Sequence, residues 1–198
     1  MRKLVGLSLA ASLVMISPAL AQSLDPAAET VQALDTGLLA IMHAGAGAGQ
    51  AGRLRAIAPV IDRTFDIPLM TRLSVGPAWT TFTPQNQTAL VAAFRAHMAA
   101  QYAKNFDSFG GEHFTLTPQV ETRGGDKLVR TLLVAKNTSE SLNYRLRLQG
   151  GQWKIIDVYF RSAISQLATK RSDFAHVIST GGAPALIAHL NALAARPK

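Results

Sequence analysis

The run Glu140 to Phe160, ESLNYRLRLQGGQWKIIDVYF, constrains the fold more than any other part of the chain. Leu142, Tyr144, Leu146 and Leu148 alternate with Asn143, Arg145, Arg147 and Gln149, and a period of two puts the two sets on opposite sides of a strand. Gly150-Gly151 supplies the positive backbone angles of a tight turn. Trp153 to Phe160 then returns as a second strand, with Ile156, Val158 and Phe160 expected on its apolar side. A hairpin with one greasy side has to be covered, so the rest of the chain is read for what lies over it.

Two further strands are predicted before the hairpin, His113 to Thr122 and Lys127 to Asn137, separated by a turn at Gly124-Gly125-Asp126. Upstream the period changes to that of helices. Asp25 and Pro26 open one through Met42, with Val31, Leu34, Leu38, Leu39 and Ile41 near helical spacing. The segment AGAGAGQAG, 44–52, reads as a flexible loop, and Arg53 to Thr64 as a second helix. Asp66 caps a short helix carrying Leu69, Met70 and Leu73. Thr83-Pro84 starts the longest helix, where Leu90, Phe94, Met98, Tyr102 and Phe106 recur every four residues as one apolar stripe. After the hairpin come Ala163 to Thr180 and Pro184 to Ala194, two helices broken at Gly181-Gly182. Helices, then strands, then helices define an α+β fold. The expectation is a four-stranded antiparallel curved sheet over 113–160, with helices from 22–110 and 163–198 packed on one face.

The first 21 of the 198 residues have the form of an export signal: Arg2 and Lys3, an apolar run from Leu4 to Ile16, and Ala19-Leu20-Ala21 for cleavage after Ala21. A soluble exported protein is expected, a single domain over 22–198 and a monomer, with no later segment reading as a membrane span. Removing the leader leaves 18 of the 20 basic residues against 12 acidic ones, a net charge of +6 spread along the chain. There is no cysteine, which excludes disulfides, thiolate metal sites and cysteine nucleophiles.

Little else points to catalysis. His43, His97, His113, His176 and His189 show no metal-binding spacing, and no G-x-S-x-G elbow is present. Aromatic and basic residues do not interleave as in a nucleic-acid-binding face. Asp157, inside WKIIDVYF, reads either as an acid or base or, the favoured reading, as a structural hydrogen-bond acceptor for Arg161, Arg171 or backbone N–H groups. What remains is apolar side chain, which reads either as an ordinary packed core or as the lining of a cavity left between sheet and helices.

Two segments resemble the MlaC-type family of periplasmic lipid carriers, also called the toluene-tolerance auxiliary family. One is FDIPLMTRLSVGPAW, 65–79, followed by Thr83-Pro84-Gln85. The other is Trp153 to Val158, then Ile164-Ser165, Arg171 to Phe174 and Gly181-Gly182. Thr169-Lys170-Arg171-Ser172 and Phe160 to Ser165 depart from the family's usual Tyr-Arg-Ser and E-G-V-S, and are similar to its subgroup associated with hopanoid biosynthesis. The resemblance implies an NTF2-like sheet, a tail-binding pocket and no cofactor. Its cargo would be a phospholipid or a hopanoid-type lipid. Shuttling would run between an outer-membrane lipoprotein complex and an inner-membrane ABC transporter with an MCE-domain subunit.

On that reading the lipid contacts from the helical half are Leu69, Met70, Leu73, Trp79, Phe94, Met98 and Tyr102, with Arg171 structural. From the strands they are Leu142, Tyr144, Leu146, Ile156, Val158 and Phe160. Leu146→Arg is expected to abolish lipid binding and leave the fold intact. The alternative function is a small NTF2-like enzyme using Asp157 as acid or base.

Overall fold

The computed structural model describes residues 23–161 and 163–196, so the leader expected over 1–21 lies outside the described residues. Asp25 opens α1, Pro26–Ala44, by accepting the Ala27 N–H at 2.8 Å, with Pro26 in the first turn where its missing N–H costs nothing. Val31, Leu34, Leu38 and Ile41 point inward. The glycine-rich stretch is more ordered than a flexible loop. A 3-10 turn, Ala46–Ala48, leads directly into α2, Gly49–Thr64, which begins four residues ahead of the expected start. The cause lies in α2 itself: buried Arg53 donates to the Ala103 carbonyl at 2.9 Å and to the Gly45 carbonyl at 2.7 Å, tying the turn to the helix opposite.

Asp66 caps α3, Ile67–Val75, through the Leu69 N–H at 3.0 Å. A 3-10 segment, Gly76–Thr81, leads to Thr83, whose side chain caps α4, Pro84–Asn105. The last helix, α5, spans Gln166–Ala195 with non-helical backbone at Gly181 and Gly182. By length and composition α5 is apolar enough to cross a membrane, which the sequence reading did not expect. The glycine kink divides it into two pieces, each shorter than the ~20 residues a span requires. Phe174, Leu186 and Leu190 are buried in the core.

The antiparallel sheet has six strands where four were expected. They are β1 (His113–Leu116), β2 (Glu121–Arg123), β3 (Asp126–Val134), β4 (Ser139–Gln149), β5 (Gln152–Phe160) and β6 (Ile164–Ser165). The predicted strand over 113–122 is two strands, both paired with β3. Pro118 lies between them and has no N–H to continue the ladder. The free edge of β5 is covered by β6 at Tyr159 and Phe160, and at Ile155 by the Asp66 N–H, 2.9 Å from the Ile155 carbonyl.

Along β4, Leu142, Tyr144 and Leu146 share the helix-covered face, opposite Thr131, Val129 and Lys127 of β3. The other face carries Arg145 and Arg147, both bonded to buried Asp126. One expectation on β5 fails. Arg145 pairs with Asp157 but Leu146 pairs with Ile155, so a bulge leaves Ile156 without an opposite residue. One extra residue reverses the alternation on its far side. The core face of β5 therefore reads Ile155, Val158 and Phe160, and Ile156, though buried, is not part of the main core cluster.

Candidate functional site

The helices do not close completely over the sheet. A cavity of about 520 Å³ remains between α4, the start of α5 and the ends of β3, β4 and β5. Its strand wall is Leu133, Leu142, Tyr144, Val158 and Phe160, all on the helix-covered face. On the helical side Phe65, Tyr102 and Phe106 form a run of rings with successive centroids 5.8 Å apart. Met42, Met70 and Met98, from three different helices, and Ala135 complete the apolar lining. The three are every methionine among the described residues. Unbranched thioethers repack at little cost, so this wall adapts to the shape of what it holds.

Of the thirteen residues proposed from sequence as lipid contacts, seven line this cavity: Met70, Met98, Tyr102, Leu142, Tyr144, Val158 and Phe160. The other six lie elsewhere, for geometric reasons. Leu69 and Leu73 are turned by ~100° and ~60° around α3 from Met70. Trp79, partly buried, packs against the core, and its carbonyl accepts from Gln87 at 2.9 Å. Phe94 is one turn along α4 from Met98, about 6 Å further on. It meets Phe174 edge-to-face at 6.3 Å. Leu146 lies two residues beyond Tyr144, fully buried in the core, and Ile156 is displaced by the bulge.

Asp157 does not line the cavity. Its Oδ1 accepts the N–H groups of Val158 at 2.8 Å and Leu167 at 3.0 Å, and its Oδ2 accepts the Ser165 hydroxyl at 2.6 Å. Ser165 in turn caps α5 through the Ala168 N–H. Both oxygens are thus engaged in joining β5 to the head of α5. Arg171 is exposed, with its guanidinium against Gly76; a Cβ there would come within 3.0 Å of Nε.

Sequence reasoning missed the polar residues of the site. Gln101, Asn105, Glu112, Glu140, Gln166 and Lys170 also line the cavity. It missed Asp35 as well, which lies on the buried face of α1 between Leu34 and Leu38 and is 5% exposed. Its Oδ1 has no hydrogen-bond partner among the described residues, and burial pushes its pKa up to about 7. Burial and the nearby Asp35 charge both raise the hydroxyl pKa values of Tyr102 and Tyr144. An aspartate one turn beyond Val31 on an apolar stripe was the available signal.

The site is a container: a largely apolar hollow whose wall also carries polar groups from α4, the β3–β4 connection, β4 and α5. On an α+β fold, a hollow of this kind is a candidate small-molecule site. Residues 32–192 match the MlaC protein family, and the chain belongs to it. Among solved structures, a phospholipid-binding protein from Ralstonia solanacearum, determined in complex with a phospholipid, is similar with a TM-score of 0.72 at 22% identity. The match covers 86% of this chain and 97% of that one, and shows a shared fold. No match was found among curated proteins.

Proposed function

We propose that this protein is a non-enzymatic lipid carrier that works in the periplasm after cleavage of its leader, holding the tail of a phospholipid or hopanoid-type lipid in the cavity. The observation that carries this reading is the cavity itself, about 520 Å³ of space lined by methionine, aromatic and aliphatic side chains. At ~30 Å³ for a water-sized group it takes roughly 17 such groups, the scale of one acyl chain. Each hidden methylene is worth ~0.8 kcal/mol, so a sixteen-carbon tail is stabilised by on the order of 12 kcal/mol relative to water. No reaction is needed for that work, only a dry hollow and a way in. Family membership and the fold shared with a phospholipid-binding protein support the same reading. Within it, the partners are an outer-membrane lipoprotein complex and an inner-membrane ABC transporter with an MCE-domain subunit, the carrier being the soluble component between them.

The test is mass spectrometry of lipid extracted from protein purified from its native compartment. A lipid at close to one per chain is the expected result. Protein that folds but yields no lipid, and takes up none from vesicles, would overturn the proposal.

A further inference from the structure

Three charged side chains among the described residues line the cavity: Glu112, Glu140 and Lys170. Two have partners. Glu140 pairs with Arg161 at 3.2 Å, and Glu112 accepts the Gly110 N–H at 2.5 Å. Among the described residues, no carboxylate lies within ion-pair distance of Lys170, in the second turn of α5. Its Nζ lies 3.3 Å from Gln101 Oε1 and 3.4 Å from His97 Nε2, and 6.0 Å from the centre of the Phe94 ring. None of these carries a negative charge. Burial, Lys170 and His189 hold the His97 pKa down to about 4, so at neutral pH its ring is uncharged. Asp173, one turn along α5, favours the ammonium, but burial is the larger influence and lowers the Lys170 pKa.

An ammonium has three N–H donors, and Gln101 and, in the tautomer with Nε2 unprotonated, His97 account for two. Among the described residues no partner stands against the third, beside a cavity whose other lining is mostly apolar. The head of α5 is not what awaits a ligand, because its Leu167 and Ala168 N–H groups are already taken by Asp157 and Ser165. A partly desolvated cation without a counter-ion is costly, and an anion delivered by the ligand removes that cost.

The geometry points to Lys170 as the anchor for an anionic oxygen group at the head of the bound lipid, a phosphodiester or a carboxylate, with Gln101 holding the ammonium and the tail filling the cavity. This rests on the carrier reading. It adds that the cavity selects acidic-headed lipids over neutral ones with the same tails, through one side chain.

The experiment uses the mature protein, stripped of lipid, as wild type, Lys170→Met and Lys170→Arg, each checked for an unchanged thermal midpoint. Met keeps the stem against Phe94 and removes the charge. Binding is measured to phosphatidylglycerol, palmitate, diacylglycerol and inorganic phosphate. Lys170→Met should weaken phosphatidylglycerol, palmitate or both by about tenfold or more, the value of one charge-assisted hydrogen bond. It should leave diacylglycerol unchanged, and Lys170→Arg should restore most of the loss. Which acid responds identifies the head group. Equal binding of every lipid by wild type and Lys170→Met overturns the anchor and leaves the carrier standing. Inorganic phosphate bound as tightly as phosphatidylglycerol also overturns it, as a free-anion site. Wild type that takes up no lipid at all removes the carrier reading, and the anchor with it.

Discussion

The Asp157 carboxylate and the Ser165 hydroxyl meet at 2.6 Å, and through that bond β5 holds the first turn of α5. Asp157 also takes the Leu167 N–H at 3.0 Å, so one buried side chain serves both a strand and a helix cap. Asp157→Asn replaces one accepting oxygen with a donor, and we expect it to cost about 1–3 kcal/mol of stability. The fraction that remains folded should bind lipid as wild type does. Thermal denaturation beside lipid uptake checks this; an unchanged melting point together with lost function would instead favour an enzyme working through Asp157.

Leu142 and Leu146 share a strand face, but only Leu142 lines the cavity, and Leu146 is fully buried in the core. Leu142→Arg should put its long side chain into the hollow, abolishing lipid retention while shifting the melting point only slightly. Leu146→Arg should fail to fold, because an unpaired charge in the core costs several kcal/mol. This reverses the outcome expected from strand alternation alone. Co-purifying lipid and far-UV circular dichroism of the two variants decide it.

Asp35 makes stability depend on pH. Its folded-state pKa of about 7 lies above the 3.8 of an unperturbed aspartate, so between those values the folded protein holds a proton that the unfolded chain releases. Stability is therefore greatest below the lower value, falls as pH rises toward the upper one, and is level beyond it. A displacement of that size corresponds to roughly 4 kcal/mol across the window. Asp126 acts in the opposite sense: chiefly the Arg147 hydrogen bond holds its pKa below 3.8, so its contribution is lost only in stronger acid. Asp35→Asn should flatten the decline between about pH 4 and 7 and raise the melting point at pH 8. A slope identical to wild type in denaturant titrations would count against this.

Gly76 has a φ of +72° and lies under the Arg171 guanidinium. Gly76→Ala should destabilise by about 1–2 kcal/mol, the cost of a left-handed conformation for a residue with a Cβ. Adding Arg171→Ala should relieve only the small steric part, because that exposed side chain can move aside. Full rescue by the second substitution would show that crowding, and not the backbone, sets the cost.

Much of this molecule is legible in one dimension. Period-two alternation over 142–148, the glycine turn after it, and the caps at Asp25, Asp66 and Thr83 are local signals, and each marks an element that forms. Apolar spacing likewise brought seven of the cavity's lining residues to notice. Three-dimensional arrangement settled the rest. The bulge at Ile156 reverses the alternation of β5 on the Ile155 side, and no local pattern announces it, because it depends on how β4 pairs alongside. Whether an inward side chain meets another side chain or empty space depends on how far the helices stand from the sheet, and that separates Phe94 from Met98 on a single stripe. The lone ammonium of Lys170 could not be foreseen, since a charge counts as unpaired only once every neighbour is in place. Sequence by itself determined which segments are helix or strand and which sides are apolar, because those follow from backbone periodicity. Tertiary packing alone decided where the hollow lies and which polar atoms face it, because both are set by distances between elements far apart in the chain.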